Sequence, residues 1–177
     1  TQRKQLEEAL AHSEVRYRTL FESAGDAIAI HKNSRAIDCN ERLSELYGLS
    51  REEILSATTG DFFPPMQPNG QTSREFFQEK VRASREGKRQ IYEWHGRKRD
   101  GTAIITEITL TTFVIGGEIY EQAIARDITQ RKQMEEALLD LNRNLEERVA
   151  QRTDELEKVC AELLQRMNES FKPSSLR

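Results

Sequence analysis

Residues 90–126 read QIYEWHGRKRDGTAIITEITLTTFVIGGEIYEQAIAR, and this stretch decides the fold. Asp100-Gly101 and Gly116-Gly117 place glycines where a hairpin turn needs positive φ. Between them Thr102–Ile115 is rich in Ile, Thr and Val, residues that suit a pleated surface. The reading is three strands, Gln90–Lys98, Thr102–Ile115 and Glu118–Arg126, joined by two hairpins into an antiparallel meander.

Upstream, Asp26–His31 and Ala36–Cys39 are short apolar runs around the polar turn Lys32-Asn33-Ser34-Arg35, which predicts a further hairpin. Asn40–Tyr47 reads as a short helix closed by Gly48. Ser50-Arg51-Glu52-Glu53 is a capping box that opens the next. Thr58–Gly70 holds Pro64, Pro65, Pro68 and Asn69-Gly70 and is expected to be irregular. Ser73-Arg74-Glu75-Phe76 starts a helix that carries Phe76, Phe77 and Val81 and stops at Gly87. The order is two strands, several short helices, three strands.

The flanks repeat. Residues 1–10 are TQRKQLEEAL and residues 129–138 are TQRKQMEEAL, nine matches in ten at an offset of 128 residues. That spacing suits a whole domain plus its linker, and predicts a like domain upstream. Residues 3–22 read as a helix ended by Gly25, with a narrow stripe of Leu6, Leu10, Ser13, Tyr17 and Leu20. From Gln130 to Asn168 neither Gly nor Pro occurs, and a helix of that length reaches about 58 Å. Met134, Leu138, Leu141 and Leu145 step by 4, 3 and 4, then Val149, Leu156 and Leu163 by sevens. The change of phase near Leu145–Val149 is a stutter, which locally unwinds a coiled coil. So polar a helix cannot bury its stripe alone, which implies a partner helix, most simply from a second copy. Leu6, Leu10, Tyr17, Met134, Leu138, Leu141, Leu145, Val149, Leu156 and Leu163 are the expected dimer contacts. Phe171–Arg177 reads as a frayed tail.

Composition agrees with solvated helix around one ordinary domain: 177 residues, 36% hydrophobic and 32% charged. Acidic and basic residues are interspersed, with a formal charge of −3, so no basic stripe marks a nucleic-acid surface. Mean hydropathy is −0.75, and no apolar run approaches a membrane span or a signal peptide. Cys39 and Cys160 form no C-x-x-C and suggest neither disulfide nor zinc, which fits a reducing cytoplasm.

Asn40-x7-Gly48-x-Ser50-x-Glu52-Glu53 resembles the N-x7-G-x-S-x-E-E pattern of PAS sensory domains. Asp100-Gly101-Thr102 resembles their D-G-[ST] hairpin. Arg126-Asp127-Ile128-Thr129 with Arg131-Lys132 resembles the R-D-I-T-x-R-K ending that joins them to downstream helices. Tyr92-Glu93-Trp94 and Gln67-Pro68-Asn69-Gly70 resemble a subgroup found in multidomain bacterial sensors. The resemblance covers residues 13–132, and each motif is weak alone but specific in order and spacing. Ser56 departs from it, standing where many relatives carry Gly. Residues 140–157 resemble linkers to histidine kinase or diguanylate cyclase domains in two-component and related signal transduction.

The resemblance implies an α+β fold: a five-stranded antiparallel sheet with short helices on one face, between coiled-coil helices. The domains are then an N-terminal linker helix 1–22, a sensory domain 23–129, a signalling helix 130–170 and a disordered tail 171–177. Carried over, the inward positions are Tyr92, Trp94, Gly96, Thr106, Ile108, Leu110, Ala123 and Ala125, with Leu43, Tyr47, Phe63, Phe77 and Val81 from the helices. They make either a ligand pocket, with the alanines leaving room and Thr106 as a polar handle, or simply a filled core. Arg126, Asp127, Thr129 and Gln130 form the expected signal relay, with Asp127 capping the next helix in a D-x-x-Q box and pairing with Arg126 or Arg131.

The expected function is a cytoplasmic sensory relay that detects a small molecule or partner and drives an effector outside this sequence, a histidine kinase before a diguanylate cyclase. The alternative is a ligand-free dimerisation spacer in a tandem array. No catalytic residue, metal site or membrane contact is expected, and no cofactor. Haem-binding relatives use a His within about Ser73–Glu86, where none stands. Flavin photosensors need G-x-N-C-R and a Gln where Ala125 stands. His31 and His95 read as surface or satisfied histidines. His12-Ser13-Glu14 only faintly resembles a phosphoacceptor box and lies before the sensor.

Overall fold

The computed structural model describes residues 2–33, 35–57 and 63–170. Its elements are α1 (Gln2–Glu22), β1 (Ala27–Lys32), β2 (Arg35–Cys39), α2 (Glu41–Tyr47), α3 (Arg51–Ser56), α4 (Ser73–Arg85), β3 (Gln90–Arg97), β4 (Ala103–Ile115), β5 (Glu118–Asp127) and α5 (Thr129–Ser170). The chain divides into two compact units between Gln130 and Arg131. Residues 58–62, within the stretch expected to be irregular, and the tail 171–177 lie outside the described residues, as does Ser34.

One five-stranded antiparallel sheet forms in the order β2-β1-β5-β4-β3. The three expected hairpins are present. Gly116 and Gly117 both take positive φ, 59° and 82°, in the two-residue turn closed by Ile115 and Glu118, as a type I′ turn requires. The Asp100-Gly101 turn is a three-residue loop: the Gly101 amide donates to the Lys98 carbonyl and Gly101 sits at φ 85°. The first hairpin is tighter than expected, because Lys32 and Arg35 pair in the ladder and Asn33, at φ 51°, turns the chain. No hairpin signal foretells how the two groups of strands join. β1 pairs with β5, Ala27 opposite Ala125, so first and last strands lie side by side at the centre.

Helix ends follow the expected chemistry with three corrections. Asn40 caps α2 and Gly48, at φ 69°, closes it; Ser50 and Glu53 form the capping box of α3. For α4 the cap is Thr72, one residue before the expected start, boxed with Glu75. Gly25 does not end α1 in a left-handed turn. Instead the amide of Asn40 donates to the Phe21 carbonyl at 3.1 Å, so a side chain from another element satisfies the helix end. Asp127 is not the cap of α5 in a D-x-x-Q box. It belongs to the β5 ladder opposite Thr106, and its carboxylate accepts the Thr129 amide, two residues on, at 2.9 Å.

Asn40 is the hub of the N-terminal half. Its Oδ1 accepts the amides of Ile28 (2.8 Å) and Leu43 (3.2 Å), and its Nδ2 donates to the carbonyls of Phe21 and Asp26. At 1% exposure this buried amide leaves none of its capacity unused. Phe21, also buried, fixes the end of α1 on the domain. Tyr17, expected on the dimer stripe, is half exposed, stacks on Phe21 at 5.4 Å and donates to Asp38.

Opposite, α4 packs on β3 and β4 through an aromatic cluster: Phe63 meets Trp94 edge-on at 4.6 Å, and Phe76 stacks on it at 5.9 Å. Gln67 seals the edge of β3, its side-chain amide bonding both the carbonyl and the amide of His95 at 3.0 Å.

α5 is one unbroken α-helix of 42 residues, about 63 Å long. Met134, Leu138, Leu141, Leu145, Val149, Leu156 and Leu163 are all exposed along it, as Leu6 and Leu10 are along α1. No helix among the described residues is long and apolar enough to cross a membrane.

Candidate functional site

Successive residues of a strand face opposite sides of the sheet, so the inner face can be counted off from Trp94 and Ala125. On β1 and β5 it carries Ala27, Ala29, Ala123 and Ala125, in cross-strand pairs. Three of these alanines, Ala29, Ala123 and Ala125, line a cavity of about 120 Å³ between the sheet and the helices.

Of the expected pocket residues, Leu43, Tyr47, Phe63, Phe77, Tyr92, Trp94, Ile108, Ala123 and Ala125 lie around this cavity. Val81, Thr106 and Leu110 do not line it. Val81 and Leu110 pack behind it in the cluster of Tyr92 and Trp94. Thr106, fully buried, is no polar handle: its hydroxyl donates to the Trp94 carbonyl. Gly96 also faces inward. A Cβ there would meet the Tyr47 ring at 3.5 Å, an ordinary packing distance.

Sequence reasoning missed Ala29, Ala36, Leu49, Ile54, Ala57 and His31 in the wall. His31 matters most. It was expected to be a surface or satisfied histidine, yet alternation from Ala27 and Ala29 places it inward. A register shift between Ile30 and His31 brings Ala36, two residues short of Asp38, onto the same side. Burial pushes its imidazole down to about 4, so the ring is neutral at pH 7. Its Nδ1 is buried without a hydrogen-bond partner among the described residues, and so is the indole Nε1 of Trp94. Opposite His31 on β5 stands Glu121, buried, whose Oε1 takes Nε of Arg85 at 2.9 Å. Burial also pushes the Cys39 thiol and the phenols of Tyr47 and Tyr92 up, so none is a reactive anion at neutral pH.

The expected relay residues sit where the last strand leaves the sheet. Arg126 pairs with Asp26 (2.7 Å), not Asp127, because Ala27 and Ala125 are partners and set the next two residues side by side. That pairing holds the Asp26 carboxyl below its ordinary range and the arginine above its own. Ile128, buried, donates its amide to the Ile105 carbonyl, and the Thr129 hydroxyl accepts the Ile105 amide, both at 2.9 Å. Gln130 is exposed. Strand β5, floor of the cavity, is thus bolted to β4 where α5 begins.

Residues 25–130 match the PAS domain family. Over 135 residues the chain is 33% identical to the methyl sulfide methyltransferase-associated sensor of Methanosarcina acetivorans, a match spanning 75% of this chain and 13% of that sensor. The fold is similar to the PAS domain of an HTR-like protein from Haloarcula marismortui, with a TM-score of 0.56 and 25% identity over 71% of this chain and 99% of that one. It is similar also to a PAS domain from a two-component sensor histidine kinase, with a TM-score of 0.53 and 16% identity, covering 66% of this chain and 98% of that one.

Proposed function

This chain belongs to the PAS domain family, and from that premise we propose that it is a sensory relay in which a small molecule held against β5 alters the start of α5. The observation that carries this reading is the double role of β5. Ala123 and Ala125 line the cavity, and four residues beyond Ala125 the same strand has passed through the Asp26–Arg126 pair and the Ile105 anchor into a helix. A ligand that displaces the alanine floor shifts the ladder register-locked to it, and the ladder ends at those contacts.

Output then depends on α5 acting as one strand of a homodimeric coiled coil, which its exposed heptad stripe favours. The stutter gives that coiled coil registers of similar energy, so a modest push biases it. The effector lies outside this sequence, and a histidine kinase fits the linker pattern of residues 140–157. Sedimentation equilibrium tests the physical basis: the chain is expected to dimerise, and Leu141→Glu with Leu145→Glu to give monomers with an intact sheet. A wild-type monomer at millimolar concentration removes the output half of the proposal.

A further inference from the structure

The cavity's chemistry narrows the class of molecule it takes. Its volume of about 120 Å³ falls below the ~150 Å³ of a protein cavity that holds benzene, while a water molecule claims ~30 Å³ in the liquid. Its wall is aliphatic and aromatic, and among the described residues no Lys, Arg, Asp or Glu lines it. The nearby Glu121 does not line it; Arg85 engages Oε1 of that carboxylate and offsets its charge, while Oε2 is buried without a hydrogen-bond partner among the described residues. An ionised ligand would shed its hydration and, among the described residues of the wall, meet no counter-charge. Three buried side-chain polar atoms lack partners among the described residues, and two of them, Nδ1 of His31 and Nε1 of Trp94, belong to residues of this wall. Indole N–H only donates, and a neutral imidazole either donates or accepts according to its tautomer. Native interiors rarely leave such groups unpaired, and here two border one cavity.

Resting on the sensory reading above, we propose that the cavity selects an uncharged, compact organic molecule of about five or six non-hydrogen atoms, apolar except for one carbonyl or hydroxyl group that engages His31 and Trp94. Because Trp94 is the chain's one tryptophan, its indole N–H gives a single unambiguous NMR resonance at the site. The 177-residue chain is titrated at pH 7.4 with 2-butanone, 1-butanol, butyrate and n-butylammonium. The two neutral probes are expected to shift that resonance saturably, and the two ions to bind at least about tenfold more weakly, the ratio that separates a desolvated charge from a neutral isostere by one decade. Ions binding as tightly as their neutral counterparts would overturn the ligand class and leave the sensory reading standing. No saturable shift from any probe up to tens of millimolar would overturn both. His31→Leu is expected to weaken 2-butanone about five- to tenfold, the worth of one hydrogen bond, without weakening n-pentane, an apolar probe of the same number of heavy atoms. Equal losses for both would mark a packing defect and overturn the role given to His31.

Discussion

Replacing Asn40 tests whether one buried amide holds α1, β1 and α2 together. In Asn40→Ala the amide of Leu43 loses its cap, worth about 1 kcal/mol. The amide of Ile28 and the carbonyls of Phe21 and Asp26 lose their partner as well, at a site only 1% exposed. A buried polar group left unpaired costs roughly 1–3 kcal/mol, and some of these three will find water, so the total is about 3–5 kcal/mol. That is a large share of the roughly 5–15 kcal/mol of a typical domain and lowers Tm by roughly 10 °C or more. Urea unfolding followed by Trp94 fluorescence measures it at fixed protein concentration.

Asn40→Asp sharpens the test. The aspartate keeps the acceptor for Ile28 and Leu43 and adds a charge that the N-terminus of α2 favours. Its second oxygen, however, replaces a donor and faces the carbonyls of Phe21 and Asp26. A proton on that oxygen restores one bond, so the folded carboxyl binds its proton more tightly than the unfolded one. The variant is therefore expected to be destabilised at pH 7 and to recover relative to wild type as pH falls through its raised folded value. A loss below 1 kcal/mol for Asn40→Ala, or an Asn40→Asp deficit that grows in acid, would refute the hub.

The folded imidazole of His31 sits at about 4 against 6.5 unfolded, so the unfolded state binds the extra proton between these values. The stability lost as pH falls from 6.5 to 4 is about 3 kcal/mol. His31→Leu should remove that slope, with Phe77, Ala36 and Glu121, its neighbours on α4, β2 and β5, left in place; parallel pH profiles for the two proteins would contradict the buried neutral ring. Arg85→Leu strands the buried Glu121 carboxylate and is expected to cost about 2–3 kcal/mol, discounted because the arginine is half exposed, while adding Glu121→Leu should restore most of it. If the double variant is no better than the single one in urea, the pair is not what sets the cost. Asp127→Ala and Thr129→Val each remove one contact at the start of α5 and should cost about 1 kcal/mol or less of stability, yet uncouple signal from output in an intact sensor. Output that still follows the signal would show that the relay runs elsewhere.

Local chemistry was legible where neighbours in sequence satisfy one another. Turn glycines, the Ser50–Glu53 box and the alternation of β3 to β5 depend on contacts within a few residues, so spacing alone determined them. The heptad stripe of α5 belongs with them, because a helical period is a property of the chain itself. Tertiary structure decided the contacts made across long separations. Residue spacing does not encode that Asn40 would finish the end of α1, that Asp26 rather than Asp127 would hold Arg126, or that Thr106 would spend its hydroxyl on Trp94. His31 lay between the two regimes. Its inward phase could be counted from Ala27 and Ala29, but its buried, partnerless nitrogen follows only once β1 is placed against β5 and α4 closes over them. Covalent neighbours set direction and period, whereas burial and hydrogen-bond partnership are properties of the assembled layers.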